Sequence, residues 1–274
     1  MTLAIAVVSA DGIVLAADSR TTVQLGPAVP TRVLSDFTHK VFRIGDSAIG
    51  TYGWAFLQRR NIAGHMAEFE ASLEEDPPGG IELADRLAEF FGNRIDQHLQ
   101  EGLDQTPPEG VDPLGFLIGG YEDGVGQTRE VTLPSRTVTE LHDSVTNPGA
   151  AWRGQTDVIV RLVKGVDLDS LYPLANQDGK GAELQALQAT LQGLEYLIPF
   201  NEMNIQDAVD FAVFAIRTTI DTQRLTHGIA RAPGSWPGVG GPIEIAAITA
   251  IDGFQWVQQA KIQADRPPGE AERA

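Results

Sequence analysis

No cysteine occurs anywhere in the 274 residues. Disulfides, thiolate metal sites and thiol catalysis are excluded together, and the lack of disulfides fits a reducing compartment. Basic residues are scarce: 20 Lys and Arg stand against 37 Asp and Glu, a net charge of −17. An acidic surface repels phosphates, so no nucleic-acid partner is expected. The five His residues show neither H-x-x-x-H nor H-E-x-x-H spacing, which argues against a metal site. No cofactor motif is present either. Gly115, Gly119 and Gly120 lack the lysine of a phosphate-binding loop and read as a tightly packed strand. No stretch approaches the ~20 apolar residues needed to span a bilayer. The opening run to Ala17 has no Lys or Arg ahead of its apolar part, and Asp11-Gly12 breaks it, so it reads as two strands rather than a signal peptide. These absences predict a soluble, cytoplasmic protein without membrane, metal or cofactor.

What is present is an order of elements. Leu3 to Val8 and Ile13 to Ala17 are short apolar, β-branched runs around the turn residues Ser9 to Gly12, a hairpin signal. Both runs are apolar at nearly every position, which predicts cover on both faces. A second pair is expected at Val41–Ile44 and Ala48–Thr51. From Trp54 to Leu73, apolar residues recur at helical spacing (Leu57, Ile62, Met66, Phe69, Leu73), closed by Asp76-Pro77-Pro78. A second helix is predicted from about Ile81 to Leu99. Strands follow at Leu114–Gly120 and Thr128–Leu133. A third helix carries Leu184, Leu187, Leu191 and Leu194. A fourth begins at the N-cap Asn204, with Asp207 three residues on, and runs to about Thr222. Its apolar residues lie almost all round, so deep packing is expected. Final strands are read at Ile243–Thr249 and Phe254–Val257. Trp54, Trp152, Trp236 and Trp256 read as core or interface residues. Residues 1–262 form one expected domain, and 263–274 a polar tail. This pattern alone indicates an α+β fold.

The opening segment, Thr2-Leu-Ala-Ile-Ala-Val-Val-Ser-Ala-Asp11-Gly12 and on to Ala-Ala-Asp18-Ser19-Arg20, resembles the start of mature proteasome β subunits and their bacterial relatives. Lys40 before the hairpin at Val41, Gly53 after Thr51-Tyr52, and Val239-Gly240-Gly241 near the end continue the likeness. It is strongest over residues 2 to about 60. The resemblance implies an N-terminal-nucleophile (Ntn) hydrolase: a four-layer αββα sandwich of two antiparallel sheets between helical layers. Thr2 would be the nucleophile, Asp18 and Lys40 its supporting pair, and Gly53 part of the oxyanion hole. Arg20 would be a structural support. It further implies a peptide or unfolded-protein substrate, a ring or stack of identical subunits, and an unfoldase as partner. The sequence departs from the family at two points. Trp152-Arg153-Gly154-Gln155 has no serine where a Ser-Gly element is expected, and Val239 replaces the serine of Ser-Gly-Gly. Asp221 is the candidate for the family's second Asp.

The chemistry stands beside the analogy. A threonine hydroxyl is a weak nucleophile and needs a base. An N-terminal threonine carries its own, since a free α-amine titrates near pH ~8. That requires Met1 to be removed, and Thr is small enough for removal to be expected. A lysine ammonium beside the hydroxyl favours its deprotonated form, and an aspartate holds that lysine charged. A hairpin centred near Asp11 places residues 2 and 18 roughly opposite each other. Each residue also has a plainer reading. Asp18 reads also as a strand-end partner of Arg20, Lys40 as a solvated loop lysine, and Gly53 as a helix-entry glycine. The two functional readings are a threonine-type peptidase and a catalytically silent, oligomerising subunit.

Overall fold

The structure, a computed structural model, describes residues 2–23, 31–73, 77–103, 112–229, 232–233 and 237–261. The expected polar tail and Trp236 lie outside the described residues.

Ten strands form two five-stranded antiparallel sheets. They are β1 (Leu3–Val8), β2 (Ile13–Asp18), β3 (Val41–Ile44), β4 (Ser47–Gly53) and β5 (Leu114–Glu122), then β6 (Val125–Leu133), β7 (Thr137–Asp143), β8 (Gly149–Gly154), β9 (Ile243–Thr249) and β10 (Gly253–Gln258). The first sheet has the order β8-β1-β2-β9-β10, the second β7-β6-β5-β4-β3. Among the described residues six helices accompany them: α1 (Ile62–Ser72), α2 (Gly80–Gln100), α3 (Asp157–Lys164), α4 (Leu168–Gln177), α5 (Gly181–Gln192) and α6 (Ile205–Leu225).

The period-2 alternation of strands explains the layering. Along β1, Leu3, Ile5 and Val7 pack with Ala208, Ala212 and Ile216 of α6. The residues between them, Ala4, Ala6 and Val8, meet Ala48 and Leu117 of the other sheet. Small side chains between the sheets and large ones beneath the helix therefore alternate on one strand. On the outer face of the second sheet, Phe116 and Ile49 pack with Phe69 of α1 and with Leu87 and Phe91 of α2. Three apolar layers thus separate four layers of secondary structure, α-β-β-α. Gly119 belongs to the same logic: a Cβ there would lie 2.5 Å from Leu15 Cδ1, so the sheets approach at a strand position with no side chain.

Several expectations need correction. Residues 54–61 are not helical. Phe56–Leu57 and Arg60–Asn61 form a small hairpin, and Gln58 and Arg59 take positive φ at its turn. The helix begins where the Asn61 side chain accepts from the Gly64 N–H. Apolar spacing persisted through the hairpin because Leu57 is buried against the same helical layer. The strands β7 and β8 and the helices α3 and α4 were not foreseen. α6 runs to Leu225, with the capping box at Asn204 and Asp207, but it buries one face only. Phe214 is half exposed, and the buried stripe is Ala208, Val209, Ala212, Ala215, Ile216 and Thr219. α5 has no buried residue. Trp54, Trp152 and Trp256 pack partly buried against the three cores. Among the described residues no helix is long and apolar enough to cross a membrane.

Candidate active site

The hairpin of β1 and β2 has Ala4 abreast of Ala17. That register sets Leu3 beside Asp18, one residue off the expected pairing with Thr2. The correction has a consequence, because the Asp18 carboxylate accepts from the Leu3 N–H at 3.0 Å and so grips the peptide unit that leaves Thr2. Its other oxygen accepts from the Arg20 and Gly240 N–H groups, both at 3.0 Å. The Lys40 ammonium donates to Asp18 Oδ1 at 3.0 Å and to the Arg20 carbonyl at 2.6 Å. Asp18 is wholly buried and Lys40 nearly so. A buried charge is tolerated when it is paired and hydrogen-bonded, and this pair meets both conditions. Burial draws the Lys40 ammonium below its ordinary value of 10.5, and the Asp18 charge works against that shift.

Lys40 is held from its other end as well. Buried Glu244 on β9 accepts from the Lys40 and Val41 N–H groups at 2.8 and 3.2 Å and contacts His39 Nδ1 at 2.6 Å. The Lys40 carbonyl accepts from the Thr51 N–H at 2.9 Å. Arg20 turns away from Asp18 and forms a two-pronged pair with Asp36 at 2.6 and 3.1 Å.

Thr2, Lys40 and Gly53 line one narrow cleft, together with Arg20, Thr51 and Trp54 among others. Asp18 stands behind Lys40. Gly53 has φ +91°, and a Cβ there would lie 2.0 Å from the Pro113 carbonyl oxygen. Only glycine allows the strand to turn there. Gly154 is its counterpart across the site, with φ +93° and a Cβ position 1.9 Å from the Thr2 carbonyl oxygen. The approach it permits lets the Gln155 N–H donate to that oxygen at 2.7 Å.

The structure does not bring Asp221 into the cleft. Its carboxylate is 47% exposed and lies 3.5 Å from Arg224. The reason is helical phase: the stripe that buries Ala212, Ala215, Ile216 and Thr219 continues to position 223, and position 221 falls on the far side. Gln223 therefore occupies the inward position. Its side-chain N–H donates to Gln155 Oε1 at 3.0 Å, and its Oε1 accepts from the Val239 N–H at 3.0 Å. Two neutral amides thus connect the strand end that holds the Thr2 carbonyl to the segment whose Gly240 N–H holds Asp18. Sequence reasoning missed both glutamines, although extending the α6 stripe by one turn would have pointed to Gln223. Among the described residues no group of three His, Asp or Glu side chains is arranged to hold a metal ion.

The fold, two antiparallel sheets between helical layers, is the Ntn-hydrolase fold. Two solved structures carry the likeness. The Anbu complex from Pseudomonas aeruginosa, described as a helical assembly, matches at TM-score 0.55 and 14% identity, over 96% of this chain and 88% of that one. A Gly-1 mutant of Anbu from Hyphomicrobium sp. strain MC1 matches at TM-score 0.53 and 14% identity, over 97% and 88%. No protein-family model matches the chain, and no curated protein matches it in sequence.

Replacing Gln223 with Leu leaves Gln155 Oε1 and the Val239 N–H without their partner. Unpaired polar groups of this kind cost about 1–3 kcal/mol each when buried, and these are partly buried. The Gln223→Leu chain should therefore lose about 1–3 kcal/mol in urea unfolding. A midpoint equal to that of the unaltered chain would remove the amide bridge from this account.

Proposed function

We propose that this chain is a threonine-type Ntn hydrolase that cleaves amide bonds in peptides, with Thr2 as nucleophile after removal of Met1. The observation that carries the proposal is the buried Lys40–Asp18 pair at 3.0 Å, with Lys40 facing the cleft that Thr2 also lines. The Thr2 hydroxyl oxygen attacks the amide carbonyl and its proton passes to the residue's own α-amine. The Gly53 N–H receives the developing oxyanion. The tetrahedral intermediate collapses, the leaving amine takes the proton, and the acyl group stays on Thr2 as an ester. Water then attacks the ester, with the same amine as base, and releases the acid. Lys40 contributes a positive charge beside the hydroxyl, and Asp18 keeps that charge in place.

A second reading has its own support. No serine occurs in Trp152-Arg153-Gly154-Gln155, and Val239 stands where the serine of Ser-Gly-Gly is expected, so a silent subunit with the same fold is the rival. Replacing Thr2 with Ala separates the two. In the proposed enzyme, Thr2→Ala abolishes peptide turnover with the unfolding midpoint kept close to that of the unaltered chain. Retained turnover would reject Thr2 as nucleophile, and mass spectrometry of the intact protein should show Met1 absent.

The pH profile tests the Lys40–Asp18 pair. Lys40 is drawn below 10.5 by burial, so loss of its charge should set an alkaline limb of kcat/KM beneath that value. Asp18→Asn removes the negative charge that keeps the ammonium protonated and should move the limb to lower pH. A limb that stays in place would exclude the pair from the reaction.

We also propose that the chain assembles with copies of itself in a ring or stack, and that an unfoldase or an already unfolded chain supplies the substrate. Leu187, Leu194 and Leu197 are exposed around α5, an apolar surface that a lone subunit leaves wet. Sedimentation should find species several times the 29.4 kDa of one chain; a monomer across the micromolar range would overturn the assembly.

A further inference from the structure

Two glycine turns flank Thr2, and the residue before each of them reaches the same carboxylate. Gly53 follows Tyr52 at the end of β4, and Gly154 follows Arg153 at the end of β8. The Tyr52 hydroxyl donates to Glu130 Oε1 at 2.5 Å. The Arg153 guanidinium donates to Oε1 at 2.5 Å and to Oε2 at 2.7 Å. Glu130 belongs to β6, on the far side of β5 from Tyr52, and its side chain is only 10% exposed. Gly115 on β5 explains the reach. A Cβ there would lie 2.2 Å from the Tyr52 hydroxyl oxygen, so the phenol crosses β5 at a position without a side chain.

A glycine has the widest backbone freedom of any residue and no side chain to anchor it, so its neighbours must hold it in place. The two glycines here lie on different sheets. Gly53 carries the N–H proposed for the oxyanion, and Gly154 admits the Thr2 carbonyl to the Gln155 N–H at 2.7 Å. The alanines packed between the sheets make contacts without a preferred direction. A guanidinium fork on a carboxylate is different, because two parallel hydrogen bonds fix both distance and plane. Glu130 supplies that directional link between the sheets, and it does so one residue away from each glycine.

We infer that Glu130 is a positioning residue: through Tyr52 and Arg153 it sets the separation of Gly53 from Gly154, and with it the distance between the oxyanion donor and the Thr2 hydroxyl. The inference rests on the hydrolase reading for the role of Gly53, whereas the clamp itself is a property of the two sheets. Glu130 acts on the reaction only through its two partners. Misplacing a reacting group by 1 Å costs on the order of a hundredfold in rate, so release of one leg of the clamp should cost about tenfold. Both legs end on one carboxylate, and cutting either frees the same separation.

The test cuts the legs singly and together in the full chain. Tyr52→Phe removes one hydroxyl, and Arg153→Lys keeps a cation for Glu130 but loses the fork. On the best-cleaved member of a panel of acetylated tripeptide coumarinylamides, each variant should lower kcat about tenfold with KM little changed. The double variant should lose about tenfold as well, because the second cut has nothing left to release. An unchanged kcat in either single variant, or a loss of about a hundredfold in the double, would overturn the inference. Amide hydrogen exchange reads the clamp without any turnover. The Gln155 N–H bonded to the Thr2 carbonyl and the Trp54 N–H bonded to the Pro113 carbonyl should exchange about tenfold faster in Tyr52→Phe, with the amides of α2 unaffected. Unchanged exchange at both, or acceleration spread evenly through α2, would overturn the clamp. If the unaltered chain cleaves no peptide while these two amides respond, the hydrolase reading falls and the positioning by Glu130 stands.

Discussion

The carboxylate of Asp18 has no access to water, and much of the site is arranged around keeping it charged there. An isolated buried carboxylate would be neutralised or expelled, since its desolvation amounts to several kcal/mol even after relaxation. Here three backbone N–H groups and one ammonium surround it. They come from four stretches of chain: the start of β1, the residue two beyond Asp18 itself, the segment ahead of β9, and the loop that enters β3. None of these stretches can shift without stripping the carboxylate of a partner. The first of them begins immediately after Thr2, so the aspartate fixes the chain's opening residues as well as the lysine. A single acid thereby positions both ends of the proposed catalytic pair.

The sandwich makes that burial attainable. Alanines at positions 4, 6, 17, 48 and 246 lie between the sheets, where bulkier residues would hold them apart. Close sheets bring β4, and with it Thr51 and Gly53, against the hairpin that carries Thr2. Glu130 on β6 closes one edge of the gap. It receives hydrogen bonds from Tyr52 of its own sheet and from Arg153 on β8 of the other. Burial and the neighbouring Glu130 push the Tyr52 phenol well above its ordinary value, and hydrogen bonding to Glu130 raises Arg153. Tyr52 and Arg153 therefore keep their protons through neutral pH, as a fixed link between the sheets must.

The sequence disclosed the parts of the fold whose causes are local. The hairpin at residues 3–18 announces itself by two apolar runs around Asp11-Gly12, and α2 by its spaced Leu83, Leu87 and Phe91. The strands β7 and β8 left no such mark. β7 is an edge strand with no fully buried residue, and Gly149–Gly154 reads as loop until its pairing with β1 is known. The helices α3 to α5 are short or largely exposed, so their apolar stripes are thin. Lys40 shows the other limit. Its meaning lies in a contact with a residue 22 positions earlier, and only the family likeness selected it from the other lysines. Asp221 was chosen for its charge when the deciding quantity was its angle on α6. Gln155 and Gln223 were passed over because an amide carries no signal of its own; each matters through the backbone group that the other helps to place.

The neutrality of the Gln155–Gln223 bridge bears on how the proposed site is tuned. A carboxylate near Thr2 would raise the α-amine's pKa and hold it protonated, which is the wrong state for a base. The glutamine bridge connects the same segments without adding charge. The ammonium of Lys40, facing the same cleft, acts on the amine in the opposite sense: a like charge disfavours protonation and keeps more of the amine free near neutrality. Lys40 is itself drawn below its usual range by burial, and Asp18 opposes that shift. If the aspartate were weaker, the lysine would lose its charge and with it the effect on both the hydroxyl and the amine. In the proposed mechanism the balance between burial and Asp18 at Lys40 would therefore govern nucleophile and base together, and the neutral bridge leaves that balance undisturbed.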